Sequence, residues 1–212
     1  MLSTLNEREL VKILGHAVEF KDETTGYHVV RVSHYVYILA TALGLEHNHA
    51  VNMAYASMLH DVGKIGIPDA VLQKKGKLTA EERKRVEQHC AIGAAIIGNH
   101  PDSPLLTMAH DIALCHHERW DGTGYPQRLS GTSIPLAARI TAVADVFDAM
   151  TAPRPYRAEC TFERTLTYVV GNSGSHFDPA IVEQLVEHID KFAEIRIRYA
   201  TPTVSDFLEI LK

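Results

Sequence analysis

In Ala54-Tyr55-Ala56-Ser57-Met58-Leu59-His60-Asp61-Val62-Gly63-Lys64-Ile65-Gly66, an apolar run from Ala54 to Leu59 ends on an imidazole beside a carboxylate. Gly63, Lys64 and Gly66 follow at once. The run reads as the end of a helix over Ala50 to His60. From one turn of backbone, His60 and Asp61 offer a divalent metal one nitrogen and one or two oxygens, and a carboxylate can bridge two metals. His-Asp is a common dipeptide, so the surrounding chain decides how far the pair can be trusted.

Outward from this helix the periodicity stays helical. Leu5 to Phe20 carries Leu10, Ile13, Leu14, Ala17 and Val18 in the i, i+3, i+4 pattern of an amphipathic helix. His28 to Leu43 is expected as a second helix ending at Gly44. Pro68 opens a short helical turn. Thr79-Ala80-Glu81-Glu82 reads as a capping box starting a helix toward His100. Pro104 opens Leu105 to His117, and Pro135 stands at the favoured first position of Leu136 to Thr151. Phe162 to Val170 is helical, Asp178-Pro179 starts a helix from Ala180 to about Tyr199, and a last short helix is expected after Pro202. Strand signals are nearly absent. The irregular piece Glu118 to Ser133, with Asp121, its glycines and Pro126, is too long for a casual turn. The fold class is therefore all-α: a single-domain helical bundle over residues 1–200, with 201–212 a C-terminal segment of unknown role.

The 212 residues, 46% hydrophobic and 22% charged, suffice for one core. A formal charge of −5 argues against a DNA or RNA polymer as partner, since phosphate-tracking surfaces are basic. Cys90, Cys115 and Cys160 have no CxxC spacing, which indicates neither a disulfide framework nor a zinc knuckle. The charged N-terminus does not read as a signal peptide, and no apolar stretch is long enough to span a bilayer. A cytoplasmic protein with no membrane insertion is expected.

Thirteen histidines are the unusual feature of the composition. His47, His49, His100, His110 and His188 belong to no constellation and read as surface or capping residues. The others of interest fall on five expected helices: His28 begins the second, His60-Asp61 ends the third, His89 lies within the next, His116-His117 ends the Leu105 helix, and Asp145 sits in Ile140-Thr141-Ala142-Val143-Ala144-Asp145-Val146-Phe147. Helical bundles build metal centres in their cores in this way. A carboxylate in so apolar a sequence needs compensation, from a metal or from a salt bridge to an arginine such as Arg139. Five histidines and two aspartates are too many ligands for one metal and suit two, with Asp61 as the bridge. Imidazole with carboxylate suits iron, manganese or zinc.

These blocks resemble the HD-GYP family, the subgroup of HD-type phosphohydrolases that hydrolyse the bacterial second messenger cyclic di-GMP. The resemblance rests on Thr25-Gly26-Tyr27-His28, His60-Asp61-Val62-Gly63-Lys64-Ile65-Gly66-Ile67-Pro68-Asp69, and Gly76-Lys77-Leu78-Thr79 with His89 and Gly93. It continues through His116-His117-Glu118-Arg119-Trp120-Asp121-Gly122-Thr123-Gly124-Tyr125-Pro126, Ile134 to Ile140, Val143 to Thr151 and Arg154-Pro155-Tyr156. The blocks occur in family order over roughly residues 20–190.

The resemblance implies His28, His60, Asp61, His89, His116, His117 and Asp145 as ligands of two divalent metals, iron or manganese first, zinc or nickel as alternatives. It implies Lys64 as a phosphate-facing catalytic lysine, and Tyr125, Asp148, Arg154 and Arg157 as dinucleotide contacts. Arg157 stands where lysine is more usual, which keeps the charge and changes the hydrogen-bonding geometry. Members with a third metal carry a glutamate four residues before the His28 position; Thr24 stands there, with Glu23 adjacent, so two metals are expected. The family's glycine after Gly-Tyr-Pro-x is replaced, since Gln127-Arg128-Leu129 follows. The implied reaction is hydrolysis of cyclic di-GMP to pGpG, and on to GMP, by a hydroxide bridging two metals, with Lys64 and the metals stabilising the transition-state charge. Two rivals stand beside it: a cyclic di-GMP receptor or interaction module, and a phosphohydrolase of another cyclic dinucleotide or nucleotide. A homodimer or a signalling-protein partner would use the Gly-Tyr-Pro loop.

Overall fold

The structure is a computed structural model that describes residues 6–19, 21, 27–151 and 160–200. Eleven α-helices and two 3-10 turns account for the regular structure of these residues, with one isolated bridge between Ser173 and Phe177. The helices are α1 (Glu7–Glu19), α2 (His28–Ala42), α3 (His47–Ser57), α4 (Asp69–Leu72), α5 (Ala80–Glu87), α6 (His89–Ile97), α7 (Pro104–Cys115), α8 (Leu136–Thr151), α9 (Phe162–Gly171), α10 (Pro179–Glu187) and α11 (Ile189–Arg198). The 3-10 turns span Val62–Gly66 and Gly131–Ser133. The expected all-α bundle is present; the helix proposed after Pro202 lies outside the described residues.

Local chemistry sets most helix starts. Asn6 and Glu9 exchange side-chain to backbone hydrogen bonds at the head of α1, both of 3.0 Å. Thr79 and Glu82 form the expected capping box, Ser103 caps α7 with Pro104 at its first turn, and Asp178 caps α10. Two expected long helices are each divided in two. The helix from Thr79 breaks at Gln88, and the one from Ala180 breaks at His188, where ψ turns to 19° and the imidazole Nδ1 donates to the Gln184 carbonyl.

α2 and α8 lie at the centre, buried on most of their circumference, and α3, α7 and α11 pack around them. Tyr35 stacks flat on Phe192, with centroids 4.3 Å apart, and Phe147 meets both edge-on. α1 departs from its expected orientation. Val11, Gly15 and Val18 face inward, whereas Leu10, Ile13 and Leu14 are exposed. The reason is close approach: a β-carbon on Gly15 would stand 2.9 Å from the Met58 carbonyl oxygen, so the small residue sets the contact face. Among the described residues no helix is long and apolar enough to cross a membrane.

Candidate metal centre

His60 and Asp61 sit where the chain leaves α3 and tightens into the Val62–Gly66 turn. His28 opens α2, His89 opens α6, His116 and His117 follow α7, and Asp145 projects from the middle of α8. All seven expected ligands converge. Asp61, His89, His116 and His117 form one group whose candidate donor atoms all lie within 4.8 Å of one another; His28, His60 and Asp61 form a second. Asp145 faces the second group, its Oδ1 lying 3.3 Å from His28 Nε2 and 3.9 Å from His60 Nε2.

Asp61 belongs to both groups through different oxygens. Its Oδ2 lies 3.3 Å from His60 Nε2, and its Oδ1 lies 3.4 Å from His89 Nε2 and 3.7 Å from His116 Nε2. The ring orientations are fixed by what each Nδ1 touches. His60 Nδ1 is 2.8 Å from the Ser57 carbonyl, His89 Nδ1 is 2.6 Å from Val86 O, and His116 Nδ1 is 2.9 Å from Ile112 O. A carbonyl can only accept, so these Nδ1 atoms carry the proton and in the neutral rings each Nε2 turns a lone pair inward. An opposed pair results, with His89 Nε2 and His116 Nε2 3.4 Å apart; His28 Nε2 lies 3.4 Å from His60 Nε2. Asp61 Oδ1 is buried without a hydrogen-bond partner. Converging lone pairs and an orphaned carboxylate oxygen repel one another unless a cation lies between them. The donor set therefore fits divalent metal, and its nitrogen and oxygen composition suits the first-row transition ions.

The electrostatics agree. Burial would push the Asp61 carboxyl up, but the positive charge of Lys64, 2.7 Å from Oδ2, and the His60 imidazole hold it well below the usual carboxylate range. Burial likewise opposes ionisation of Asp145, and the His28 hydrogen bond and His60 outweigh it. Burial pushes His89 down to about 4 and His117 well below its ordinary value, keeping both in the neutral form that ligates metal. His28 is pushed the other way, up to about 10, because Asp145 and Asp148 outweigh its burial.

The HD domain family matches residues 12–181. The chain belongs to the HD domain family. Among curated relatives, this HD domain is 46% identical over 189 residues to 3'3'-cGAMP-specific phosphodiesterase 2 of Vibrio cholerae serotype O1, covering 89% of the chain and 36% of the relative. It is 42% identical over 198 residues to a cyclic di-GMP phosphodiesterase of the same organism, covering 88% of the chain and 40% of that protein. The chain thus spans well under half the length of these two relatives. Its fold is shared with the crystal structure of the cyclic GMP-AMP specific phosphodiesterase V-cGAP3 of V. cholerae, at a TM-score of 0.68 and 19% identity, over 92% of this chain and 54% of that one.

Around the centre of this HD domain, Lys64 Nζ lies 2.7 Å from Asp61 Oδ2. Tyr125 stacks on His117, with centroids 4.9 Å apart and planes 26° from parallel, and so borders the ligand cluster. Asp148, expected as a dinucleotide contact, is enclosed by protein. It has no solvent exposure, its Oδ1 accepts from Arg31 Nε at 2.6 Å, and its Oδ2 accepts from Arg31 Nη2 and from His28 Nδ1. A carboxylate enclosed in this way faces His28 and Arg31. The alternative partner considered for Asp145 is also accounted for: Arg139 pairs with Asp178 and lies over the Trp120 ring. Thr24, Glu23, Arg154 and Arg157 lie outside the described residues.

Four residues outside the expected ligand and contact set also shape the site. Glu118 is buried, and its carboxylate accepts from the Gln127 amide at 2.6 Å and the Leu129 amide at 3.1 Å, pinning the loop after Tyr125. Between those amides Arg128 takes the left-handed conformation, φ 57°, at the position where the HD-GYP resemblance leads to an expectation of glycine. Gly124 is required earlier in the loop, because a β-carbon there would lie 2.4 Å from the Arg119 nitrogen. Glu19, nearly enclosed at the end of α1, accepts from the His28 amide at 2.6 Å and so ties α1 to the first residue of α2. The motif Thr79-x-x-Glu82 announces a cap in sequence; Glu19 and Glu118 act across loops and have no such spacing.

Proposed function

We propose that this HD domain is a metal-dependent phosphodiesterase that hydrolyses cyclic di-GMP to pGpG, and on to GMP, at a centre holding two divalent metals. One observation carries the reading: Asp61 presents one oxygen to His28 and His60's group and the other to the group of His89, His116 and His117. A carboxylate divided in this way is what a two-metal hydrolytic site requires. His28, His60 and Asp145 would hold one ion, His89, His116 and His117 the other, with Asp61 between them. Iron and manganese are the first choices, zinc and nickel the alternatives.

When bound, divalent metal supplies Lewis acidity, lowering the pKa of water toward neutrality and offsetting phosphate charge. The protein's own residues do the rest. Lys64 brings a positive charge to the non-bridging oxygens of the phosphodiester as negative charge develops there. Tyr125, held against His117, offers a ring face to a base and bounds the cleft. Arg154 and Arg157 grip the second phosphate or a guanine edge, orienting the first for attack. The Gly-Tyr-Pro loop is also the surface through which a second copy or a signalling partner would act, and the setting is the cytoplasm.

A second reading rests on the 46% identity to a protein named for 3'3'-cGAMP: the same centre hydrolysing a mixed cyclic dinucleotide. The test is metal analysis of protein purified without added metal, followed by hydrolysis assays with both cyclic dinucleotides. Two equivalents of metal with turnover of cyclic di-GMP support the first reading. Turnover of 3'3'-cGAMP alone selects the second. Tight dinucleotide binding with no turnover after metal reconstitution would make the domain a receptor and overturn both.

A further inference from the structure

His28 is oriented differently from the other ligand histidines. His60, His89 and His116 each bond a carbonyl three or four residues earlier on their own backbone. His28 Nδ1 instead meets Asp148 Oδ2 at 2.8 Å, on a helix 120 residues further along the chain. Asp148 does not stand alone. Arg31, one turn after His28 on α2, grips both carboxylate oxygens, with Nε 2.6 Å from Oδ1 and Nη2 2.9 Å from Oδ2. The remaining arm of the guanidinium, Nη1, donates to the Tyr199 carbonyl at 3.0 Å, at the end of α11. Arg31 is 2% exposed and Asp148 0%, so neither charge has water as an alternative partner.

We infer that Arg31 and Asp148, braced by the end of α11, are positioning residues that aim His28 Nε2 at the metal centre and give the His28 side of that centre its affinity. The geometry leaves the pair little else to do. Asp148 is a pure acceptor while ionised, and its oxygens are occupied by the Arg31 fork and by His28 Nδ1–H. A carboxylate on the far nitrogen of a ligand histidine fixes the ring's tautomer and rotation and makes the facing nitrogen a better donor. The planar fork of Arg31 in turn fixes the carboxylate, which a lysine's point charge would not do. Through Tyr199 the arrangement makes the last turn of α11 part of the support of a ligand on α2. The inference rests on the metal-centre reading above, and it replaces the expected contact between Asp148 and the dinucleotide.

The test compares the wild type with Arg31→Lys, Asp148→Asn and the charge-neutral double variant Arg31→Met/Asp148→Asn, each loaded with manganese and dialysed. Metal per chain, chelator-competition affinity, and kcat and KM for cyclic di-GMP at limiting and excess manganese are measured, with thermal unfolding of each metal-free protein. The inference expects one of the two sites to lose roughly 10–100-fold in affinity while the other is retained. It also expects turnover to return toward the wild-type value at excess manganese, with KM unchanged, in whichever variants keep a cooperative unfolding transition. Arg31→Lys is the mildest change and serves if removing either charge prevents folding. Unchanged metal affinity with a raised KM would overturn the inference and restore Asp148 as a substrate contact. Equal loss at both sites would also overturn it. A wild type that binds no manganese, iron or zinc would instead be a failure of the metal-centre reading, visible before any variant is made.

Discussion

Gly63 lies so close to His89 that a β-carbon on it would stand 1.9 Å from the His89 carbonyl oxygen and 2.5 Å from the Gly93 nitrogen. This contact sets the Val62–Gly66 turn, which follows Asp61, directly against α6, which begins with His89. Backbone atoms on the far side cannot rotate away as a flexible side chain would. Gly63→Ala should cost at least about 2–3 kcal/mol of stability and move Asp61 away from His89. Thermal unfolding and metal content per chain check this; an alanine variant that melts and binds metal like the wild type would show that α6 can shift freely.

Lys64 pairs with Asp61 Oδ2 yet sits at the edge of the ligand set. Lys64→Met should keep metal bound and lower kcat for cyclic di-GMP by about 10²–10³-fold, the usual loss when one charge-stabilising donor is removed. Metal analysis beside steady-state kinetics separates this from a ligand defect. An unchanged kcat would remove Lys64 from the reaction.

Glu118 satisfies two backbone amides of the loop that carries Tyr125. Glu118→Ala leaves both without their acceptor, at a cost of about 2–4 kcal/mol for two charge-assisted bonds in a partly buried setting. Tyr125 should then lose its place on His117, raising KM more than it lowers kcat. Kinetics together with denaturant unfolding report on the two effects separately.

Arg128 holds a left-handed backbone, which costs an L-residue about 1–2 kcal/mol. Glycine removes that penalty but loses about 0.4–1 kcal/mol through the freer unfolded chain. Arg128→Gly should therefore raise stability by about 0.5–1 kcal/mol, read as a higher denaturant midpoint at unchanged slope.

His34 stacks on Tyr199, and its buried Nε2 has no hydrogen-bond partner. Burial, aided by Arg198, pushes it down to about 4 from an ordinary value of 6.5. Between those values the unfolded chain takes up a proton that the folded chain refuses. The stability contribution is therefore complete above about pH 6.5 and is lost as pH falls through about 4, in total on the order of 2–3 kcal/mol. His34→Phe keeps the stacking and cannot protonate, so unfolding between pH 7 and 4 should be less steep in pH for this variant. Identical slopes would show that His34 titrates normally.

What the sequence made legible was local or chemically loud. Thr79 with Glu82, Pro104, and Asp178 with Pro179 declare helix starts over four residues or fewer, and each stands at a helix start in the structure. The seven converging residues could be picked out because histidine and aspartate at helix ends and within apolar runs need a common explanation. The interruptions at Gln88 and His188 were hidden because neither glycine nor proline marks them. The exposure of Leu10, Ile13 and Leu14 was hidden because helical periodicity gives a stripe but not which neighbour fits it. The partners of Asp148 were hidden because they stand 117 and 120 residues away, and no spacing rule reaches that far.

Three ring nitrogens in the centre are steered by carbonyls of their own turn, and one is steered from across the molecule. A histidine of the first kind has its aim as soon as its helix forms. His28 has none until α2 and α8 have docked. The aim of His60, His89 and His116 is thus local, while that of His28 depends on a contact between two helices. A metal held there would report that α2 and α8 are docked, and its affinity would follow that contact.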